Sequence, residues 1–163
     1  VEGRATTRRS ITPSYALSPA WSFETRDGET ISRESLKGKT SVLYFWGTWC
    51  IPCRRAAPLN LKLWEELGQH EDFEMIGLAV RERDVDAAYA YAEKSGYAWT
   101  QFVGADDIAA KFEVKRYPAW YVIGPAGEIL YESGRPQGGD FAPIFEKMRT
   151  VINTSLAKDS GKD

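Results

Sequence analysis

Trp49-Cys50-Ile51-Pro52-Cys53 holds the only two cysteines of this 163-residue chain. An apolar run, Val42-Leu43-Tyr44-Phe45-Trp46, precedes the motif, and a helical pattern follows it. A strand that ends at such a pair and passes into a helix sets one thiol at the positive end of that helix. Unpaired N–H groups and the macrodipole favour a thiolate there. A thiolate with a second thiol beside it is the minimal equipment for making and breaking disulfides. Two blander readings compete. Structural zinc wants four ligands, and the chain offers two thiols and one histidine, His70. A purely structural bridge across so short a loop removes little chain entropy. The redox reading is therefore preferred, with no metal and no cofactor expected.

Composition sets the frame. With 43% hydrophobic residues the chain can bury one sizeable core. A net charge of −2 calls for neither nucleic acid nor an acidic partner. No apolar run reaches membrane-spanning length. The chain opens on Val1 without a signal-peptide pattern, from which a processed, exported product is expected.

Residues 1–18 read as a flexible polar tail with Arg4, Arg8, Arg9, Pro13 and little periodicity. A solvated linker is the preferred reading over a membrane-surface contact. Residues 19–156 form the expected domain, and 157–163 a polar tail. Trp21–Thr25 and Thr30–Ser32 flank Asp27-Gly28, a hairpin signal. Ser32 can cap a short turn. Val42–Trp46 and Phe73–Val80 have the length and bulk of buried strands. Between them Ala56, Leu59, Leu63 and Leu67 recur at helical spacing up to Gly68, with Pro58 expected to kink the helix. Asp84, Asp106 and Asp140 are candidate caps for three further helices. Ala119–Ile123 and Glu128–Ser133 flank a Gly-Pro-Ala-Gly turn. The long crossover implies a parallel pair, and the short turn an antiparallel one. An α/β fold follows: a central mixed sheet with helices on both faces, an N-terminal β-hairpin and a central helical insertion.

That order, with Trp-Cys-x-Pro-Cys at the first strand–helix junction, resembles the thioredoxin fold. A second signature is Lys115-Arg116-Tyr117-Pro118-Ala119-Trp120. Thioredoxin-like proteins carry a cis-proline before the third buried strand, facing the cysteines, and Pro118 matches it. Pro58 matches their helix proline. Within the fold the chain is similar to the TlpA/ResA group of exported, often membrane-tethered thiol–disulfide oxidoreductases. The similarity rests on Trp21-Ser22-Phe23-Glu24, Asp27-Gly28, Leu36-Lys37-Gly38-Lys39 and Phe45-Trp46-Gly47-Thr48-Trp49-Cys50, with the segment Asp84–Ser95 as the group's insertion. The chain departs from the pattern twice. Ala56 stands where many members carry a glutamate, and Tyr44 where ordinary thioredoxins carry a buried aspartate. Either acid would take the proton of the resolving thiol; here ordered water is the candidate acceptor.

The resemblance implies roles. Cys50, left exposed by the preceding turn, attacks, and Cys53 resolves. Pro52 suits a first helical turn, and Ile51 leaves the helix dipole unopposed. Tyr117, beside a cis Pro118, pairs its backbone with an extended substrate segment. Trp49 forms an apolar rim or simply packs, and Trp46 belongs to the core. Arg54 and Arg55 either support the thiolate or lie solvated. The expected partners are protein thiols or disulfides and an upstream redox protein. A monomer is expected, in the periplasm or another extracytoplasmic space, with a tether lying outside this sequence; cytochrome c maturation is one use in the group. The alternative is a copper-binding, metal-delivery module, whose relatives have a wider cysteine spacing and a distant histidine. A non-catalytic interaction domain and a thiol peroxidase fit less well.

Overall fold

The computed structural model describes residues 14–160. Arg4, Arg8, Arg9 and Pro13, on which the tail reading rests, lie outside the described residues, as do 161–163.

Five strands form one mixed sheet in the order β5-β4-β3-β6-β7. They are β3 (Thr40–Trp46), β4 (Phe73–Ala79), β5 (Thr100–Val103), β6 (Ala119–Ile123) and β7 (Ile129–Glu132). β3 runs parallel to β4, with Tyr44 opposite Gly77, and antiparallel to β6, with Tyr44 opposite Trp120. All seven residues of β3 are buried, because both faces of the sheet are covered. β1 (Ser22–Glu24) and β2 (Thr30–Ser32) make a separate hairpin. Its turn uses Gly28 at φ 87°, a backbone region that costs glycine nothing.

Strand alternation sorts the core into two clusters. Val42, Tyr44 and Trp46 of β3 join Cys50, Cys53, Trp120 and the buried faces of α1 (Ile51–Leu67), α2 (Val85–Lys94) and α4 (Ala142–Ser160). Leu43 and Phe45 join the hairpin residues Phe23 and Ile31 and, from α3 (Asp106–Lys111), Ile108 and Ala109. Helices thus cover both faces, three on the cysteine side and one with the hairpin on the other. The chain has a thioredoxin-like fold.

Several local expectations shift. β5 was not foreseen: Thr100-Gln101-Phe102-Val103 has only Val103 buried, so it lacks the apolar signature of an inner strand. The ordered chain starts before residue 19, since Ser18 N–H donates to Gly127 O at 2.8 Å and Ile129 N–H to Ala16 O at 2.8 Å. α4 continues to Ser160, past the 156/157 boundary drawn on polarity alone; Leu156 is still packed. α1 contains Pro58 inside its span, where the sequence placed it. Asp84 caps α2 through Ala87 N–H at 3.0 Å, and Asp140 receives Ala142 N–H at 3.0 Å. Asp106 is the first residue of α3 and not its cap, which is Ala105. Asp106 Oδ1 instead accepts Arg81 N–H at 3.0 Å.

Candidate active site

β3 delivers the chain to Gly47, and a tight turn carries it into α1. Cys50 N–H donates to Gly47 O at 3.1 Å. A Cβ at Gly47 would run into the Trp49 indole, so glycine lets the ring lie over the turn. Trp49 Nε1 donates to Val80 O at 2.8 Å. The turn is also tied from outside: Glu82 accepts Thr48 N–H on one carboxylate oxygen and the Thr48 hydroxyl on the other, each at 2.6 Å.

Cys50 is the N-cap of α1, with φ −89° and ψ 105°, and its Sγ accepts Cys53 N–H at 3.2 Å. The sulfur at 50 therefore occupies the place of a capping oxygen, where an orphan helix donor meets it. Pro52 lies in the first turn, where a missing N–H leaves nothing unpaired. Cys50 and Cys53 form a disulfide, Cα to Cα 5.2 Å.

Tyr117–Pro118 is a cis peptide bond. The Tyr117 ring meets Trp49 edge to face, centroids 5.7 Å apart. Burial pushes the Tyr117 hydroxyl above its usual pKa, with Asp106 adding to the rise and Arg81 opposing it. Cys50 lines a pocket of about 360 Å³ with Trp49, Ile51, Pro52 and Tyr117. A second groove, about 730 Å³, holds Pro52, Tyr117 and Pro118 together. The two sequence signatures, about sixty-five residues apart in the chain, thus converge on one opening.

The expected exposure of Cys50 is not observed. The residue is 3% accessible, as is Cys53. Its neighbours Trp49 and Ile51 are 42% and 61% exposed, while its sulfur accepts Cys53 N–H at the helix start. Access runs through the pocket. Trp46 is core at 2% exposure. Arg54 is held away from a purely solvated position: its guanidinium donates to Thr48 O at 3.0 Å and lies 5.9 Å from the Tyr91 ring centroid.

Under Cys53 the surroundings are apolar and aromatic. Ala56 is fully buried, and Tyr44 stacks on Trp120 with centroids 5.1 Å apart. Burial drives the Tyr44 hydroxyl well above its usual pKa, against a smaller opposing effect of an Asn60 hydrogen bond. A phenol shifted that way stays protonated and is no base at neutral pH. Asn60 also accepts Trp120 Nε1–H at 2.9 Å, which satisfies the buried indole.

Sequence reasoning missed Arg81, Glu82 and Asp106. Arg81 is a non-glycine residue at φ 53°, and its guanidinium lies 5.7 Å from the Trp49 ring centroid and 5.3 Å from that of Tyr117. The run Arg81-Glu82-Arg83-Asp84 reads in one dimension as a solvated loop; only β4, ending beside β3, brings it to the cysteines.

Residues 16–132 match the AhpC/TSA family. The chain belongs to that family. The chain is similar to the thioredoxin-like protein YneN of Bacillus subtilis, 30% identical over 68% of this chain and 65% of the relative. It is also similar to the thiol-disulfide oxidoreductase ResA of the same organism, 26% identical over 69% of this chain and 62% of that protein. The match spans just under two thirds of each of these relatives. A solved thiol:disulfide interchange protein from Chlorobium tepidum superposes with a TM-score of 0.70 at 22% identity, covering 89% of this chain and 99% of that one. That likeness bears on the fold, and it agrees with the thioredoxin-like architecture. The ResA-like identification made from the motifs stands.

Proposed function

We propose that the protein is a thiol–disulfide oxidoreductase that exchanges disulfides with protein substrates through Cys50 and Cys53. One observation carries the reading: a disulfide capping a helix N-terminus, beside the pocket and groove that border the cis peptide Tyr117–Pro118. In the reducing direction the Cys50 thiolate attacks one sulfur of a substrate disulfide. A Cys50–substrate bond forms, the substrate bond breaks, and the departing sulfur takes a proton from solvent. Cys53 then loses its proton and attacks Cys50 Sγ. The 50–53 bridge forms, the second substrate sulfur leaves as a thiol, and two electrons have passed to the substrate. An upstream dithiol protein restores the reduced pair.

Trp49, Ile51 and Pro52 form the apolar lip around Cys50 in this reading. The Tyr117 backbone pairs with an extended substrate strand, and Pro118, lacking an N–H, ends that pairing. With Ala56 and Tyr44 near Cys53 and the phenol held protonated, water entering beside the pair takes the Cys53 proton. The resemblance of the motifs to the TlpA/ResA group supports an extracytoplasmic site of action and a use in keeping cysteines reduced, as cytochrome c maturation requires. A monomeric, membrane-tethered protein fits that setting. Among the described residues no helix is long and apolar enough to cross a membrane. Copper delivery has less support, because the residues around Cys50 include no histidine and His70 Nδ1 accepts Asp72 N–H at 3.1 Å.

The test is reduction of insulin or of a small neutral disulfide by the reduced protein. Cys50→Ser should abolish it, and Cys53→Ser should accumulate a mixed disulfide. A Cys50→Ser protein as active as the parent would refute the reading. The 50–53 reduction potential then separates reductant from oxidant, since about 30 mV corresponds to about 1.4 kcal/mol for this couple.

A further inference from the structure

We propose that Arg81, Lys115 and Arg116 form a cationic rim that selects substrates with a carboxylate next to the reacting cysteine. The proposal rests on the oxidoreductase reading and names the substrate class that this mouth accepts. The chain as a whole carries 23 acidic and 21 basic residues. The pocket holding Cys50 departs from that balance: its wall contains Arg81, Lys115 and Arg116 and no carboxylate. All three cations are exposed. Among the described residues, no acid lies within ion-pair distance of them.

Arg81 is held in place by its backbone and its ring contacts. Its backbone sits in the left-handed region at φ 53°, and Asp106 Oδ1 fixes its N–H at 3.0 Å. A bulky residue keeps such a conformation only where its surroundings impose it. The guanidinium then lies near Trp49 and Tyr117, the rings that flank Cys50. Aromatic faces steady a cation without neutralising it. Asp106 and Glu82 stay charged beside Arg81, but neither lines the pocket that holds Cys50. Both Glu82 oxygens take Thr48 donors. Glu113 and Glu132 border the adjoining groove, where Glu132 also accepts the Tyr121 hydroxyl at 3.2 Å. The selective position is therefore the one beside the substrate cysteine, and the groove beyond is of mixed charge. A charged rim acts on encounter and orientation, and salt weakens it.

Three peptides decide the matter, each with one cysteine capped as a 2-pyridyl disulfide and flanked by Glu, Gln or Lys. Attack by Cys50 on the peptide sulfur forms the protein–peptide disulfide and releases pyridine-2-thione, which is read by absorbance. Rates with dithiothreitol normalise the intrinsic reactivity of each peptide. The Glu peptide should react about tenfold faster than the Lys peptide at about 20 mM ionic strength, and within about twofold at about 0.5 M. The ratio should fall towards one in Arg81→Gln and in Lys115→Gln/Arg116→Gln, and invert when all three become Glu. A parent Glu/Lys ratio near one, or a ratio indifferent to salt, overturns the proposal without recourse to any variant. If the Gln peptide reacts no faster with the parent than with Cys50→Ser, the oxidoreductase reading fails and the rim proposal falls with it. A Cys50-dependent Gln rate with no charge preference removes the rim alone.

Discussion

Glu82 is expected to hold the turn before Cys50, and removing it should cost stability in a graded way. Its carboxylate receives both donors of Thr48 at 2.6 Å. Hydrogen bonds to an ionised group contribute about 1.5–3 kcal/mol each. Both residues are half-buried, so water replaces part of what is lost and about 1 kcal/mol each is the fair net figure. Glu82→Ala should then cost about 2 kcal/mol. Glu82→Gln retains both contacts as neutral bonds, its amide N–H meeting the Thr48 oxygen, and should cost about half as much. Urea unfolding of the oxidised protein measures this. With a slope of about 2 kcal/mol per molar, the midpoint should fall by about 1 M for Ala and about 0.5 M for Gln. Thr48→Val removes only the hydroxyl, so the pair with Glu82→Ala should be non-additive by about 1 kcal/mol. A Glu82→Ala midpoint within about 0.15 M of the parent would show that the fork contributes nothing. A Gln variant as weak as the Ala variant would show that charge, not hydrogen bonding, was at stake.

Ile51→Glu, at an exposed position in the first turn of α1, should raise the Cys50 pKa of the reduced protein by about half a unit to one unit, because a carboxylate there opposes the thiolate. Titration of thiolate absorbance would show it, and equal values would refute the electrostatic account. Ala56→Glu should speed resolution of the mixed disulfide by Cys53 while lowering stability by several kcal/mol, about what an enclosed carboxyl costs; an unchanged resolution rate means proton removal was never limiting. At alkaline pH the protein should lose stability between about 10 and 12. Burial pushes the Tyr97 hydroxyl up to about 12, so above pH 10 the unfolded chain has released a proton that the native state still holds, and ν_U − ν_N is negative. Tyr97→Phe should flatten that part of the unfolding-versus-pH curve, and an unflattened curve would assign the loss elsewhere.

The fold was largely legible because its signals were redundant. The bulky runs around Leu43 and Ile76, the Asp-Gly turn and the helical spacing up to Leu67 each named an element, and the elements agreed with one another. β5 was hidden because an edge strand with polar Thr100 and Gln101 satisfies its backbone without an apolar pattern. The site divides in the same way. Cys50, Cys53 and Pro118 announce themselves by residue type and spacing. Arg81 does not, since its importance lies in a backbone angle and in two rings from distant parts of the chain. Asp106 offers a sharper lesson: it is the first residue of α3, one position past the cap, and its oxygen takes a loop N–H instead. The misjudged exposure of Cys50 has another origin, because accessibility depends on the side chains that surround a residue and not on its place in a turn.

The parity of β3 carries an implication for how this protein tolerates change. Positions 42, 44 and 46 belong to the same core cluster as the redox pair, while 43 and 45 belong to the cluster on the hairpin side. A designer wishing to retune the dithiol has even-numbered sites to explore, whereas the odd-numbered ones serve as ballast. A single inserted residue in that strand would exchange the two sets and forfeit both purposes at once.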